Sequence, residues 1–217
     1  MARTATGRLI TFEGIEGAGK STQLQVLGEH LQGQGIEVCM TREPGGSAMA
    51  EKIRDLLLDT DTPEMAADTE LLLMFAARAD HLAYTIRPAL AKGHWVLSDR
   101  FTDASYAYQG AGRGVAEDRI QGLEEWTQLE LRPDLVLLLD LPAELGLQRA
   151  NSRGSKDRFE NEALDFFARA RRCYQQRAML YPNRYRVINA SVSSEEVSRQ
   201  VLTAVDKVMD TDWSQDP

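Results

Sequence analysis

The chain has 217 residues, 43% hydrophobic and 27% charged, a balance that suits one folded domain with a sizeable core and excludes a disordered chain. Its formal net charge of -8 argues against a broad nucleic-acid or membrane-surface partner, since both need a basic face. Two cysteines without paired spacing, Cys39 and Cys173, read as reduced thiols of a cytoplasmic protein; no apolar run approaches a membrane span, and the start, Met1-Ala2-Arg3-Thr4, lacks a signal-peptide core.

Leu9 to Phe12 reads as a short buried strand, followed by a glycine-rich turn from Gly14 to Gly19. Leu24, Leu27 and Leu31 then recur at helical spacing until Gly33 and Gly35 stop the helix. Ile36, Val38 and Met40 alternate as a second strand, and Ile53, Leu56 and Leu57 mark another helix. Thr62-Pro63-Glu64 is a helix-start signal before a long apolar segment running towards Gly93, which Pro88 bends or divides. Trp95 to Ser98, Leu135 to Leu139 and Tyr185 to Asn189 read as the remaining strands. Between the last two lie a helix around Gly146, a charged break at Asn151 to Asp157, and a helix carrying Leu164, Phe167, Arg171 and Tyr174. Val197, Val201, Val205 and Val208 mark the last helix, before a polar tail at 210–217 expected to fray. Near-continuous apolar strands alternating with helices predict one α/β domain over 1–217, a five-stranded parallel sheet sandwiched by helices.

Gly14-Ile15-Glu16-Gly17-Ala18-Gly19-Lys20-Ser21 fits G-x-x-x-x-G-K-[ST] at every required position, after a strand and before a helix. Backbone N–H groups of such a loop wrap ATP phosphates, with Thr22 closing the ATP-binding run, Lys20 reaches the β- and γ-phosphates, and the Ser21 hydroxyl serves Mg²⁺. A chance match in a glycine-rich turn is the bland alternative, and the two correct flanks argue against it. Trp95 to Asp99 ends an apolar strand in an acid, the usual source of a carboxylate near the metal. Arg100 follows where water-activating ATPases commonly carry Glu, and an arginine there suits an acceptor phosphate. The chain has no Asn-Lys-x-Asp segment of a GTPase, and its loop has no arginine at the variable positions. The candidates for the further cations needed at the transition state then follow the fourth strand: Arg149, also an expected ATP-binding residue, and Arg153, Lys156 and Arg158 on a lid at about 150–159; an ordinary solvated basic loop is the competing reading.

Over essentially its whole length the chain resembles the bacterial thymidylate kinases. The resemblance rests on Phe12 to Ser21, Thr41-Arg42-Glu43-Pro44-Gly45-Gly46, Phe75-Ala76-Ala77-Arg78, Asp99-Arg100-Phe101, Ala107-Tyr108-Gln109-Gly110 and Arg153-Gly154-Ser155-Lys156-Asp157-Arg158. Glu16 in the loop with basic residues in the lid is similar to the lid-arginine type. The resemblance implies the reaction ATP + dTMP → ADP + dTDP with Mg²⁺, and a homodimer. It implies that Arg100, Arg42 and Arg54 hold the acceptor phosphate near Pro44, and that Arg78 donates to the thymine carbonyl. Ser105 and Gln109 would meet the base edge, Tyr108 would press near C2′, Glu16 would accept from the 3′-hydroxyl, and Glu43 could touch the metal shell through water. Lys20, Asp99, Arg100 and Arg153, with Arg158 as the alternative lid cation, form the expected catalytic set. Where the family often has an aromatic four residues before the base-reading arginine, this chain has Met74, with Phe75 next; either could cover the base.

The other aromatic and charged residues have plainer readings. Tyr84, Trp95, Trp126, Phe166, Phe167 and Tyr174 read as packing residues, Glu124-Glu125 as a solvated helix face, and His30, His81 and His94 have no ligand spacing. A deoxynucleoside kinase, or a P-loop ATPase without a small acceptor, are the rival readings.

Overall fold

Strand β1, Leu9–Glu13, is buried along its whole length, as its run of apolar residues requires. It lies at the centre of the sheet because both neighbours, β3 (Trp95–Asp99) and β4 (Leu135–Asp140), pair with it in parallel. The edges are β2 (Val38–Arg42) on β3 and β5 (Tyr185–Asn189) on β4, giving the order β2-β3-β1-β4-β5. The computed structural model describes residues 7–61, 65–151, 159 and 162–209. Thr62 to Glu64 and the tail at 210–217 lie outside those residues.

Alternation along β1 places its side chains in two separate apolar layers. Ile10 and Phe12 pack with Leu24, Leu27 and Leu31 of α1 (Lys20–Gly33), Phe167 and Tyr174 of α8 (Leu164–Leu180), and Val197, Val201 and Val205 of α9 (Ser194–Met209). Leu9 joins Val96, Leu82, Ile86, Ala89 and Phe101 in the other. Five parallel strands covered by helices agree with the expected fold class.

The long apolar segment is divided, as Pro88 requires. Helix α3 (Ala67–His81) passes into a π-helical turn, Leu82–Ile86, and then into α4 (Arg87–Ala91), whose first turn holds Pro88. The backbone stays helical through this junction, so the missing N–H of Pro88 falls inside a continuous helix, beside the π turn where the regular ladder is already interrupted. The periodicity reading misses the segment after β3, where α5 (Thr102–Ser105) continues into a second π-helical stretch, Tyr106–Gly112, followed by α6 (Glu117–Gln128). Two residues expected in the core are on the surface: Tyr84 is 75% and Trp126 77% exposed. Glu124, expected in solvent, is buried; it accepts from the Tyr106 hydroxyl at 2.7 Å and pairs with Arg132 at 2.9 Å, which satisfies the charge that burial would otherwise penalise.

Candidate active site

The parallel register brings the ends of β1, β2 and β3 to one rim of the sheet, with Phe12 opposite Asp99 and Arg42 opposite Asp99 on the other side. Chain crossing at such a rim leaves a crevice outside the carboxyl ends of the strands. Here it is a cavity of about 340 Å³.

One wall is the glycine-rich loop. Gly14, Gly17 and Gly19 have φ of 133°, 73° and 89°, conformations that side chains resist. Gly17 also lies against α7 (Ala143–Asn151): a Cβ there would meet the Gly146 carbonyl oxygen at 2.1 Å. Lys20 opens α1 and folds back over the loop, its Nζ donating to the Gly14 and Ile15 carbonyls at 3.1 and 3.0 Å. Burial, with the positive charge of Arg100 adding to it, lowers its pKa to about 8. Ser21 donates to Asp99 Oδ2 at 2.6 Å, so a hydroxyl and a carboxylate converge beside the loop.

Arg100 takes a φ of 71°, which costs a non-glycine residue about 1 kcal/mol or more. Backbone contacts hold it there: its N–H donates to Phe12 O at 2.9 Å, and its carbonyl accepts from the Ser98 hydroxyl at 2.7 Å. Glu13 Oε1 takes the next N–H, that of Phe101, at 2.7 Å. The guanidinium enters the cavity, donating through Nη1 to Gly14 O and the Tyr174 hydroxyl and through Nη2 to Glu16 Oε1 and the Tyr108 hydroxyl. Tyr108 in turn donates to Glu16 Oε2. Beneath them Tyr174 donates to Glu13 Oε2, and burial with the Asp103 charge pushes the Glu13 carboxyl up.

At the far end Arg78 is 3% exposed. Its Nε donates to Glu43 at 2.7 Å and its Nη2 to Phe101 O and Ser105 Oγ at 3.1 Å each. Nη1 is buried without a partner among the described residues, a donor a ligand could satisfy. Gln109 donates to the buried Glu70 at 2.8 Å.

Most of the expected residues therefore converge: Glu16, Gly17, Gly19, Lys20, Ser21, Thr22, Arg42, Glu43, Pro44, Arg54, Met74, Arg78, Asp99, Arg100, Ser105, Tyr108 and Gln109 all line one cavity. Gly14 and Ala18 stand behind that wall, Gly14 giving its carbonyl to Lys20 and Arg100. Three expectations change. Met74, not Phe75, is on the wall; Phe75 is 2% exposed and packs with Leu71, Tyr106 and Ile120, under the Arg78 guanidinium at 4.5 Å. Glu43 turns both carboxylate oxygens to Arg78 and His81 rather than to Ser21 and Asp99. Arg149 donates to the Ala190 and Ser191 carbonyls, away from the cavity. Arg153, Lys156 and Arg158 lie outside the described residues. Sequence reasoning missed Leu58, Phe101, Ala104 and Phe159 on the wall, and Glu13 and Tyr174 behind it. The polar reach of Tyr174 has no sequence signal, because only the fold brings it to β1.

A family model described as thymidylate kinase matches residues 12–201. The chain belongs to the thymidylate kinase family. It is thus a member of a family of ATP-dependent nucleoside monophosphate kinases. The thymidylate kinase of Ectopseudomonas mendocina is 58% identical over 196 residues, covering 90% of this chain and 93% of its own. That of Pseudomonas savastanoi pv. phaseolicola is 54% identical over 205 residues, covering 94% and 98%. The crystal structure of thymidylate kinase from Ehrlichia chaffeensis superposes with a TM-score of 0.76 at 29% identity, covering 93% of this chain and 98% of that one.

Proposed function

We propose that this chain transfers the γ-phosphoryl group of ATP to dTMP, giving ADP and dTDP for dTTP synthesis, and does so in the cavity between the glycine-rich loop and Arg78. One observation carries the reading: a phosphate loop at one end of a single cavity and a buried, partly unpaired arginine at the other. Between them stand Arg42, Arg54 and Arg100, which suit an acceptor that already bears a phosphate rather than a bare nucleoside.

Phosphoryl transfer has a loose transition state, so the residues position groups and neutralise charge. The loop N–H groups and Lys20 hold the ATP phosphates; Lys20 exchanges its loop carbonyls for phosphate oxygens. Arg100, Arg42 and Arg54 hold the acceptor phosphate with one oxygen directed at the γ-phosphorus. Arg78 Nη1 donates to the thymine carbonyl, Ser105 and Gln109 stand at the base edge, and Met74 covers the ring. Tyr108 and Glu16 meet the sugar, Glu16 accepting from its 3′-hydroxyl. Ser21 and Asp99 are oxygen donors of the kind that hold Mg²⁺ with the phosphates, and Glu43 is not in that set. When bound, that ion supplies positive charge to the transferring group. Arg153 and Arg158 are the sequence's candidates for the remaining cation. We read the chain as one kinase domain over 1–217, working in the cytoplasm as a homodimer. The free Cys39 and Cys173 suit a reducing compartment, and no described helix is long and apolar enough to cross a membrane.

A panel of dTMP, dCMP, dGMP, UMP and thymidine with Mg-ATP, following ADP release, tests this. The expected result is a kcat/KM for dTMP exceeding that for dCMP and dGMP by on the order of 10⁴. Equal values across the panel, or faster use of thymidine, would overturn it.

A further inference from the structure

His81 is fully buried and has no role in the reading above, yet its ring is held at both nitrogens. Nδ1 lies 3.0 Å from Glu43 Oε1 and Nε2 lies 2.7 Å from the Thr41 hydroxyl. Glu43 has no proton to give, so Nδ1–H donates to it, and Nε2 shares a hydrogen bond with the Thr41 hydroxyl. The other oxygen of Glu43 accepts from Arg78 Nε. Burial pushes the Glu43 carboxyl up, but the Arg78 charge and the His81 hydrogen bond outweigh that and hold it below its ordinary range, ionised. The backbone of Glu43 is fixed as well, its N–H donating to Asp99 O at 2.9 Å. On α3, His81 follows Arg78 by three residues, so the two side chains share a face and reach one carboxylate together.

We infer that Glu43 and His81 are positioning residues for base selection, holding the Arg78 guanidinium so that Nη1 alone is left to meet the acceptor base. An arginine has five N–H donors, and one free to rotate could present a donor to several base edges. Here Nε and Nη2 are taken by Glu43, Phe101 O and Ser105, and the plane lies over Phe75. A fixed donor favours the carbonyl of thymine and opposes the amino group that cytosine carries at the same place. Without Glu43 the guanidinium loses its charged anchor; without His81 the carboxylate loses the bond that sets its rotamer. The inference rests on the reading of Arg78 as the base-facing residue.

The test is the ratio of kcat/KM for dTMP to that for dCMP, measured beside KM for ATP and Tm. Glu43→Gln keeps the volume and so the fold, but replaces a charge-assisted bond by a neutral one. It should lower the ratio about tenfold, through KM for dTMP, with KM for ATP unchanged. His81→Phe should lower the ratio similarly, and His81→Asn, whose amide can still donate to Glu43, should recover most of it. A structural role alone would lower Tm and kcat for all substrates without moving the ratio. A ratio within about twofold of the unaltered protein in Glu43→Gln would overturn the inference. Arg78→Ala is the control: if it collapses the ratio while Glu43→Gln and His81→Phe do not, the positioning role is wrong and the base-facing role stands. If Arg78→Ala also leaves the ratio unmoved, the base-facing reading itself fails.

Discussion

Lys20 is held at a cost in the folded protein. Its ammonium is buried against the loop carbonyls, and burial together with Arg100 takes its pKa from 10.5 to about 8. A lysine whose folded pKa lies below its unfolded value opposes folding while charged. That penalty is full below about pH 8 and disappears as pH rises towards 10.5, because the unfolded chain holds the proton longer. Lys20→Met removes the term. The unaltered protein should therefore gain stability relative to Lys20→Met between about pH 7.5 and about pH 10, by about 2 kcal/mol. Calorimetric Tm differences at the two pH values measure it, and a difference that stays constant or runs the other way would contradict the assignment. The variant should also lose activity by two orders of magnitude or more, since no other group on the loop wall carries its charge to the phosphates. At this scale much of the site was legible. Gly14 to Ser21, Asp99 and Arg100 announce themselves because their chemistry depends on sequence neighbours. The roles of Glu13, Tyr174 and His81, and the Arg78 partner of Glu43, do not, because what these residues touch lies 35 residues or more away in the chain.

Among the elements, the π-helical stretch Tyr106–Gly112 does most to shape the acceptor end. It carries Tyr108 and Gln109 into the cavity and packs along α8. An extra residue per turn re-aims side chains that a regular helix would send elsewhere. Gly112 permits the packing: a Cβ there would lie 2.5 Å from the Phe166 ring. Phe166 in turn stands edge-on to Tyr108, with centroids 5.7 Å apart. Gly112→Ala should lower stability by about 1–3 kcal/mol, the usual cost of overpacking, and should raise KM for dTMP more than KM for ATP. Thermal melts and steady-state kinetics check both halves; a stable variant with an unaltered KM would show that the ring yields freely. This element was invisible to periodicity. Its two tyrosines and two glycines within seven residues resemble a loop, and the α8 helix it packs along is distant in sequence. The opposite failure occurred at Tyr84 and Trp126, which composition places inside and the fold leaves out. Large aromatics are common in cores, but nothing local says which face of a helix will meet a partner.

Across the whole molecule the charge is unevenly spread. The chain carries a net -8, yet five cations, Lys20, Arg42, Arg54, Arg78 and Arg100, face three carboxylates in the cavity. A cleft of one sign in a protein of the other attracts phosphorylated ligands locally and repels nucleic acid globally. Arg42 stands at its rim, exposed and paired with Glu51 at 2.9 Å, where salt screens effectively. KM for dTMP should rise on the order of threefold as salt goes from about 0.05 M to about 0.3 M, and Arg42→Ala should flatten that dependence. An unchanged salt slope in the variant would mean that attraction comes from the deeper cations. The parallel sheet and its two covered layers follow from apolar strands alternating with helices, which is why that much of the architecture could be read from sequence; the strand order could not, because alternation does not say which strands pair. The location of the cleft could be read too, because parallel strands end together. The partners of its charged groups could not, because they depend on the packing of α3 and α8.

The contact between Gly17 and Gly146 gives the fold a mechanical property. Each glycine's missing Cβ would collide with the other's backbone neighbourhood: the Gly146 carbonyl oxygen at 2.1 Å from one side, the Glu16 carbonyl oxygen at 2.6 Å from the other. Backbone rather than side chain sets most of this spacing, with the Ile15 side chain packed beside Gly146. Five residues beyond that contact, on the order of 8 Å at helical rise, α7 ends at Asn151. A side chain at either glycine would force the loop and the helix apart, so the pair sets how closely the phosphate loop seats against the segment that leads to Asn151.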